Sequence, residues 1–340
     1  MINLAEFSPP LTSTRPAAGG LMVRLSVTAR CQLRCTYCLP AKGCACPTAE
    51  PAPELPRASL VRLVALLHEA HGVRRVRFTG GEPLLRCDLP ELVADIAALG
   101  IPELALTTNA QLLAPRAQAL RRAGLQRINI SLDSLRPEVF ARISRGGSLD
   151  RTLDGIRAAQ AAGLGPVKLN MVVLRGVNDL EAPDLLRFAR RTGCQLRFLE
   201  LMPIGEAARN FSERFVSADE IRCGLENAGF ILEAMPWNPS ETSRDWKATE
   251  GDDGRATVCG FIAPTTRPFC GECRRLRLTA EGKLHGCLAR ASEHDLKPLL
   301  TAPDDATSRE RIRGVLDASF ARKRGERFSG GVVTMASVGG

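Results

Sequence analysis

Cys31-Gln32-Leu33-Arg34-Cys35-Thr36-Tyr37-Cys38 places three cysteines on one short stretch, directly after the apolar run Leu21 to Thr28. That run, Leu-Met-Val-Arg-Leu-Ser-Val-Thr, reads as a strand, so the cysteines sit on the loop at its C-terminal end. With this spacing the three thiolates can converge on one metal centre. A four-iron cluster normally takes four cysteines. Three leave one iron open to a non-protein ligand, and an open position is what separates a catalytic metal centre from a structural one. A zinc site of three cysteines and one histidine is a competing reading, although the nearest downstream histidines are His68 and His71. Chance clustering is a third, in a chain of twelve cysteines.

Outward from this loop, strand-like and helical patterns alternate from Met22 to about Leu201. Strands are predicted at Val23–Thr28, Arg74–Thr79, Glu103–Thr107, Arg127–Ser131, Val167–Leu174 and Leu196–Leu201. Helices are predicted at Ala58–Ala70, Leu89–Leu99, Pro115–Ala123, Asp150–Ala162 and Leu180–Arg191, each closed by a glycine: Gly72, Gly100, Gly124, Gly163 and Gly193. Repeated strand–helix alternation means a parallel α/β sheet. Six strands suggest an incomplete (β/α)6 barrel, with ligands at the C-terminal strand ends. Distinctive residues fall there: Thr79-Gly80-Gly81-Glu82-Pro83, Thr107-Thr108-Asn109, Ser131-Leu132-Asp133 and Met202. The glycines let the backbone approach a ligand, and the carboxylate suits an ammonium group. Lys168 lies inside the fifth predicted strand, where a lysine is either an edge residue facing water or an inward ligand for an anion. Arg197 lies in the sixth.

The net charge is +9. The lysines are only Lys42, Lys168, Lys247, Lys283, Lys297 and Lys323, so nearly all the basic residues are arginine. Aromatics are 4% and the arginines are scattered rather than packed in a block, which argues against nucleic acid and for a small polyanionic substrate. No apolar run approaches the ~18 residues of a membrane span. Residues 1–20 lack an apolar signal core and read as a mobile arm on a cytoplasmic protein. In that compartment twelve cysteines point to metal binding or catalysis rather than disulfides. Cys44 and Cys46, in a loop close behind the first triplet, fit no pattern.

Residues 21–205 are assigned to the barrel and 206–340 to a smaller unit. Within the latter, Val216–Gly229 reads as a helix and Pro236–Gly254 as a polar loop. Cys270-Gly271-Glu272-Cys273 with Cys287 forms a second triplet. His285, two residues before Cys287, keeps a zinc site open as an equal alternative. Between these ligands Arg275 and Arg277 alternate onto one face, as suits a phosphate chain. A charged helix is predicted at Thr307–Arg324, and the chain stops at Gly339-Gly340.

The first triplet, with Tyr37 before its last cysteine, resembles the radical S-adenosylmethionine (SAM) enzymes. Together with the second triplet, Arg275-Leu276-Arg277 and the terminal Gly-Gly, it resembles the GTP 3′,8-cyclases of molybdenum-cofactor biosynthesis, from about Leu21 to the last residue. The resemblance implies two 4Fe–4S clusters, one on Cys31, Cys35 and Cys38 and one on Cys270, Cys273 and Cys287. It implies SAM contacts at Tyr37, Gly81, Ser131 and Met202. It implies GTP contacts at Arg24, Arg77, Thr107, Lys168, Arg275 and Arg277, with Arg197 near the triphosphate. Gly339 and Gly340, with Arg275 and Arg277, would assist the radical step. The implied partners are GTP, an external flavodoxin- or ferredoxin-like one-electron donor and a downstream cyclic pyranopterin monophosphate synthase, with no nucleic acid and no membrane, for a monomer or homodimer. One departure is Ala110, which stands where the family usually has glycine after Thr-Thr-Asn. Two other classes stay open: a different radical SAM enzyme with an auxiliary cluster, such as a peptide-modifying one, and a non-catalytic iron- or zinc-binding protein.

Overall fold

The computed structural model describes residues 20–41, 54–238, 241–251, 255–268, 273–287, 294–302 and 304–322. The first half alternates as predicted. β1 (Leu21–Ser26), α1 (Arg57–His71), β2 (Val73–Thr79), α2 (Leu89–Ala97), β3 (Glu103–Thr108), α3 (Ala117–Arg122) and β4 (Arg127–Ser131) are followed by two helices, α4 (Pro137–Ser144) and α5 (Leu149–Ala161). Then come β5 (Val167–Val172), α6 (Ala182–Thr192) and β6 (Gln195–Leu199). The second half contains α7 (Phe211–Arg214), α8 (Ala218–Asn227), β7 (Phe230–Ala234), β8 (Arg244–Glu250), β9 (Ala256–Ile262), β10 (Arg275–Leu278), β11 (Lys283–His285), β12 (His294–Asp295), α9 (Lys297–Thr301) and α10 (Ala306–Arg322). Among the described residues no helix is long and apolar enough to cross a membrane.

All twelve of these strands share one sheet, ordered β12-β11-β10-β1-β2-β3-β4-β5-β6-β9-β8-β7, which does not close on itself. The first six strands follow in chain order, each parallel to the last. The strands after residue 205 continue this sheet at both ends: β9 lies parallel to β6 and β10 parallel to β1. Without them β1 and β6 would be bare edges with unpaired backbone groups.

Several elements escape the sequence pattern, β8 and α4 among them. β8 lies inside the stretch read as a polar loop. It is sandwiched antiparallel between β7 and β9, but polar residues on both its faces hide the alternation. α4 is missed because its left-handed C-cap is Arg145 (φ 52) rather than a glycine, so the usual stop signal is displaced to Gly146.

Alternation divides the sheet into two unlike faces. Val23, Leu25, Val76, Phe78, Leu276 and Leu278 are buried on the outer face under the helices. Each such side chain contributes roughly 1.5–3 kcal/mol. The alternate positions on β1, β2 and β10 are Arg24, Arg75, Arg77, Arg275 and Arg277. Parallel sheets are normally apolar on both faces. A face of arginine inside an open barrel leaves that packing unfinished and suits an anionic guest.

Ala110 is wholly buried and has φ 61, the left-handed conformation that favours glycine. It packs against Gly155 of α5, where a methyl group would lie 2.8 Å from the Ala110 carbonyl oxygen and 2.9 Å from its Cβ. Gly155→Ala is therefore expected to destabilise the protein by about 1–3 kcal/mol through overpacking, measured as a lower urea midpoint with unchanged slope.

Candidate active site

The cysteine loop leaves the C-terminal end of β1 and docks on the helix that the sequence pattern misses. The amides of Arg34 and Thr36 donate to the Ser144 and Ile143 carbonyls at the end of α4 (3.1 and 2.9 Å), and Arg145 Nη1 donates to the Leu39 carbonyl (3.0 Å). A single turn then forms as the Cys38 amide donates to the Cys35 carbonyl (2.8 Å). Burial pushes the Cys35 thiol well above its ordinary range, and Asp133, Cys38 and Cys31 push it further. Three thiols within electrostatic reach of one another, in a site short of counter-charge, fit a cationic iron cluster. Among the described residues no three His, Cys, Asp and Glu side chains converge as a single-ion site requires. Cys44, Cys46 and Cys270 lie outside the described residues.

The Gly80-Gly81 pair serves a close approach, but to the cysteine loop itself. A Cβ on Gly80 would meet the Thr28 carbonyl oxygen at 2.3 Å, and one on Gly81 the Arg30 carbonyl oxygen at 2.3 Å. The Gly81 amide donates to the Thr28 carbonyl (2.8 Å) and the Glu82 amide to that of Arg30 (2.7 Å). The Glu82 carboxylate, expected from sequence to face an ammonium group, is buried and occupied by the chain. Oε1 accepts from Thr108 Oγ1 (2.6 Å) and the Leu84 amide (3.1 Å), and Oε2 from the Asn109 amide (2.8 Å). Burial raises its pKa to about 7 against these bonds. Glu82 ties the end of β2 to the end of β3.

Tyr37 Oη donates to Asp133 Oδ2 (2.7 Å), and Asp133 Oδ1 accepts from the Val172 amide (2.9 Å). Burial lifts Asp133 to about 6. The Tyr37 ring packs against a small apolar cluster containing Leu174 and Leu201, the latter adjoining Met202. Ser131, two residues before Asp133, pairs with Asn170 at the end of β4. Tyr37, Gly81, Ser131 and Met202 thus all stand at the C-terminal edge of the sheet with the first triplet.

The inner face below that edge is cationic. Arg277, Arg24 and Arg77 lie side by side across β10, β1 and β2. Thr107, Asn129 and Lys168 form a second row across β3, β4 and β5. Arg197 stands beside Asn170 and Gly260. Gly260 has no room for a side chain because Ser243 Oγ and Asp245 Oδ1 fill that space, 2.1 and 2.5 Å from where its Cβ would be. Lys168 occupies a central strand and is buried, so its side chain is inward rather than at an edge. Sequence reading missed two further arginines of this face. Arg75 pairs with Glu103 (2.7 Å) and Glu241 (3.2 Å), and Arg127 with Glu103 (3.0 Å). Their signal was available, since Arg75 and Arg77 alternate as Arg275 and Arg277 do. Burial lowers the pKa of Arg77 well below its ordinary value, and Arg24, Arg197, Arg75 and Arg127 add to this. Arg77 Nε is buried with no hydrogen-bond partner among the described residues. Burial and Arg275 bring Arg277 to about 10.

Cys273 precedes β10 and Cys287 follows β11, and because these strands are antiparallel both cysteines stand at the opposite end of the sheet, the N-terminal end of β10. Arg275 Nε donates to Cys273 Sγ (3.4 Å), and both thiols raise the pKa of Arg277. The two cysteine sets therefore bracket the cationic face. Gly339 and Gly340 lie outside the described residues.

Lys168 gives a pH test. Burial lowers its pKa to about 8, with Arg197 and Arg127 adding to the shift. An anion bound beside it would restore the pKa toward about 10.4. The lysine is charged below the lower value, so polyanion affinity is expected to fall as pH rises from about 8 to about 10. In Lys168→Arg, titrated over the same range by equilibrium binding, the fall beginning near pH 8 should disappear, leaving only the part that Arg277 contributes near 10.

Residues 25–189 match the model of the Radical SAM superfamily, and residues 194–328 match that of Molybdenum Cofactor Synthesis C. The chain is 41% identical over 286 residues to a Listeria welshimeri protein named GTP 3′,8-cyclase, covering 83% of each. It is 40% identical over 328 residues to one of the same name from Paenarthrobacter nicotinovorans, covering 88% of this chain and 90% of that one. Among solved structures, Streptococcus suis SuiB bound to S-adenosylmethionine superposes with a TM-score of 0.61 at 16% identity, covering 86% of this chain and 68% of SuiB. That likeness carries the fold alone. Identity at the level of the first two relatives, spread over both halves of an open parallel sheet that joins a cysteine-triplet loop to an arginine-lined face, places the chain in the GTP 3′,8-cyclase family of radical SAM enzymes.

Proposed function

We propose that this protein converts GTP to (8S)-3′,8-cyclo-7,8-dihydroguanosine 5′-triphosphate, the first step of molybdenum-cofactor biosynthesis. The observation that carries the reading is the cationic face bracketed by two cysteine sets. Arg24, Arg75, Arg77, Arg127, Lys168, Arg197, Arg275 and Arg277 come together on it, close enough for their charges to lower the pKa values of Arg24, Arg77, Lys168, Arg197 and Arg277. A cationic cluster of that kind suits a triphosphate, held by charge-assisted hydrogen bonds. Cys31, Cys35 and Cys38 would hold one 4Fe–4S cluster, and Cys270, Cys273 and Cys287 the other. The first cluster, reduced by an external donor, would supply the electron for reductive cleavage of SAM at the C-terminal edge.

The chain's own residues then have positional roles. Tyr37, clamped by Asp133, and Gly81, Ser131 and Met202 shape the SAM site. Arg24, Arg77, Thr107, Lys168, Arg275 and Arg277 orient the nucleotide, with Arg197 near its phosphates. The walls of the barrel keep water from the reacting groups. Gly339 and Gly340 assist the radical step. The protein acts in the cytoplasm, as a monomer or homodimer. It takes electrons from a flavodoxin- or ferredoxin-like donor and passes its product to cyclic pyranopterin monophosphate synthase. The test is an anaerobic incubation with GTP, SAM and a reductant. GTP-dependent 5′-deoxyadenosine and a cyclised guanosine triphosphate are expected, and SAM cleavage indifferent to GTP would overturn the reading.

A further inference from the structure

The carboxylates on the cationic face are not equivalent. Glu103 bridges Arg75 and Arg127 from within β3, with both contacts at 3.0 Å or less. Asp245 lies in β8 and accepts from Ser243 Oγ (2.5 Å). Glu241 precedes that strand at a bend, where its amide donates to the Asn238 carbonyl (2.9 Å). Its side chain is 39% exposed and makes its ion pair with Arg75 Nη1 (3.2 Å), a guanidinium whose Nε already faces Glu103. Burial works to raise its pKa, yet Arg75, Arg197 and Arg77 together hold it below the usual carboxylate range. Arg75 and Arg77 come from β2 and Arg197 from β6, so the Glu241 charge lies over the interior of the face rather than at its rim.

We propose that Glu241 is a displaceable counter-ion, whose carboxylate occupies the place of a terminal phosphate until the polyphosphate chain of the substrate takes it. The inference rests on the reading of this face as a polyphosphate site. An anion approaching Arg75, Arg77 and Arg197 meets a fixed negative charge that must move aside or be tolerated. A residue at a bend outside the strands can give way where the strands carrying Glu103 and Asp245 cannot. Glu241 thus weakens polyphosphate binding, most for the chain that reaches furthest, and keeps Arg75 paired before substrate arrives.

The experiment uses the reconstituted full-length protein under anaerobic conditions, with inorganic tripolyphosphate, pyrophosphate and GTP as probes at fixed ionic strength. Glu241→Gln is compared with wild type and with Glu233→Gln. Glu233 is an exposed carboxylate of β7 whose ion-pair partner is Lys247 (3.4 Å), so its replacement makes the same change in net charge away from the site. Glu241→Gln is expected to bind tripolyphosphate about tenfold more tightly, with a smaller gain for pyrophosphate and none in Glu233→Gln. Unchanged or weaker tripolyphosphate binding in Glu241→Gln would overturn the proposal, as would absence of tripolyphosphate binding to both proteins or an equal gain in Glu233→Gln. If tripolyphosphate behaves as expected but GTP does not compete with it, the counter-ion role stands and the nucleotide reading fails.

Discussion

Replacing Cys31, Cys35 and Cys38 together by serine is expected to abolish 5′-deoxyadenosine formation while leaving a folded protein with half its iron. The loop does not depend on its thiols for shape. Its backbone is held by the Ser144 and Ile143 carbonyls, by the Gly81 and Glu82 amides on Thr28 and Arg30, and by the Tyr37–Asp133 hydrogen bond. Serine removes sulfur ligation with little change in volume. Reconstituted wild type should carry about eight irons in two clusters, and the triple variant about four. Thermal unfolding of the two unreconstituted proteins should coincide within a few degrees. Full iron content in the variant would show that the first triplet is no cluster site. A collapse of the far-ultraviolet spectrum would show that the thiols hold the fold.

Arg77→Met is expected to make the protein more stable and less able to bind its substrate. Arg77 is a half-buried arginine whose buried Nε lacks a hydrogen-bond partner among the described residues, and the charges acting on it include those of Arg24, Arg197, Arg75 and Arg127. Its burial is a cost to the folded state, which methionine, of similar length and uncharged, would remove. Replacing a buried charge by a well-packed apolar side chain can stabilise by about 1–4 kcal/mol. The same change deletes a charged donor worth roughly 1.5–3 kcal/mol to a bound phosphate, so GTP affinity should fall about tenfold or more. SAM affinity should stay near that of wild type, because the neighbours of Arg77 across the sheet are Arg24 and Ala105 and none of the residues proposed for SAM. Lower stability at unchanged GTP affinity would make Arg77 a structural residue and contradict the reading of this face.

How much of this was legible beforehand follows from what each signal depends on. β1 to β6 could be read from local periodicity, and the five helix-closing glycines all carry positive φ. The position of Lys168 could not, because inward and edge lysines look alike until strand order is known. β8 was lost because its neighbours supply what its own alternation lacks. The Gly80-Gly81 pair was read as a close approach to a ligand, whereas the approach within the fold is to the Thr28–Arg30 backbone, which is distant in sequence. Asp133 was visible as a polar residue at a strand end, whereas its grip on Tyr37 needs the loop folded across. Arg75 was missed although it alternates with Arg77, since a lone glance at Val-Arg-Arg-Val-Arg-Phe-Thr suggests general basic character rather than a chosen face.

The pairing of β10 with β1 also imposes an order of events during synthesis. β1 is the first of the described strands to leave the ribosome, yet one of its two neighbours is among the last of them to be made, since Arg24 must wait for Arg277. Until then the nascent chain carries an unsatisfied edge at β1, and another at β6 until β9 arrives. Such edges are templates for wrong partners, and non-local parallel pairing is slow to form. The cysteine loop, whose anchors all precede residue 146, can take shape early. The cationic face is assembled from both halves and comes into existence only after Leu278 has been translated.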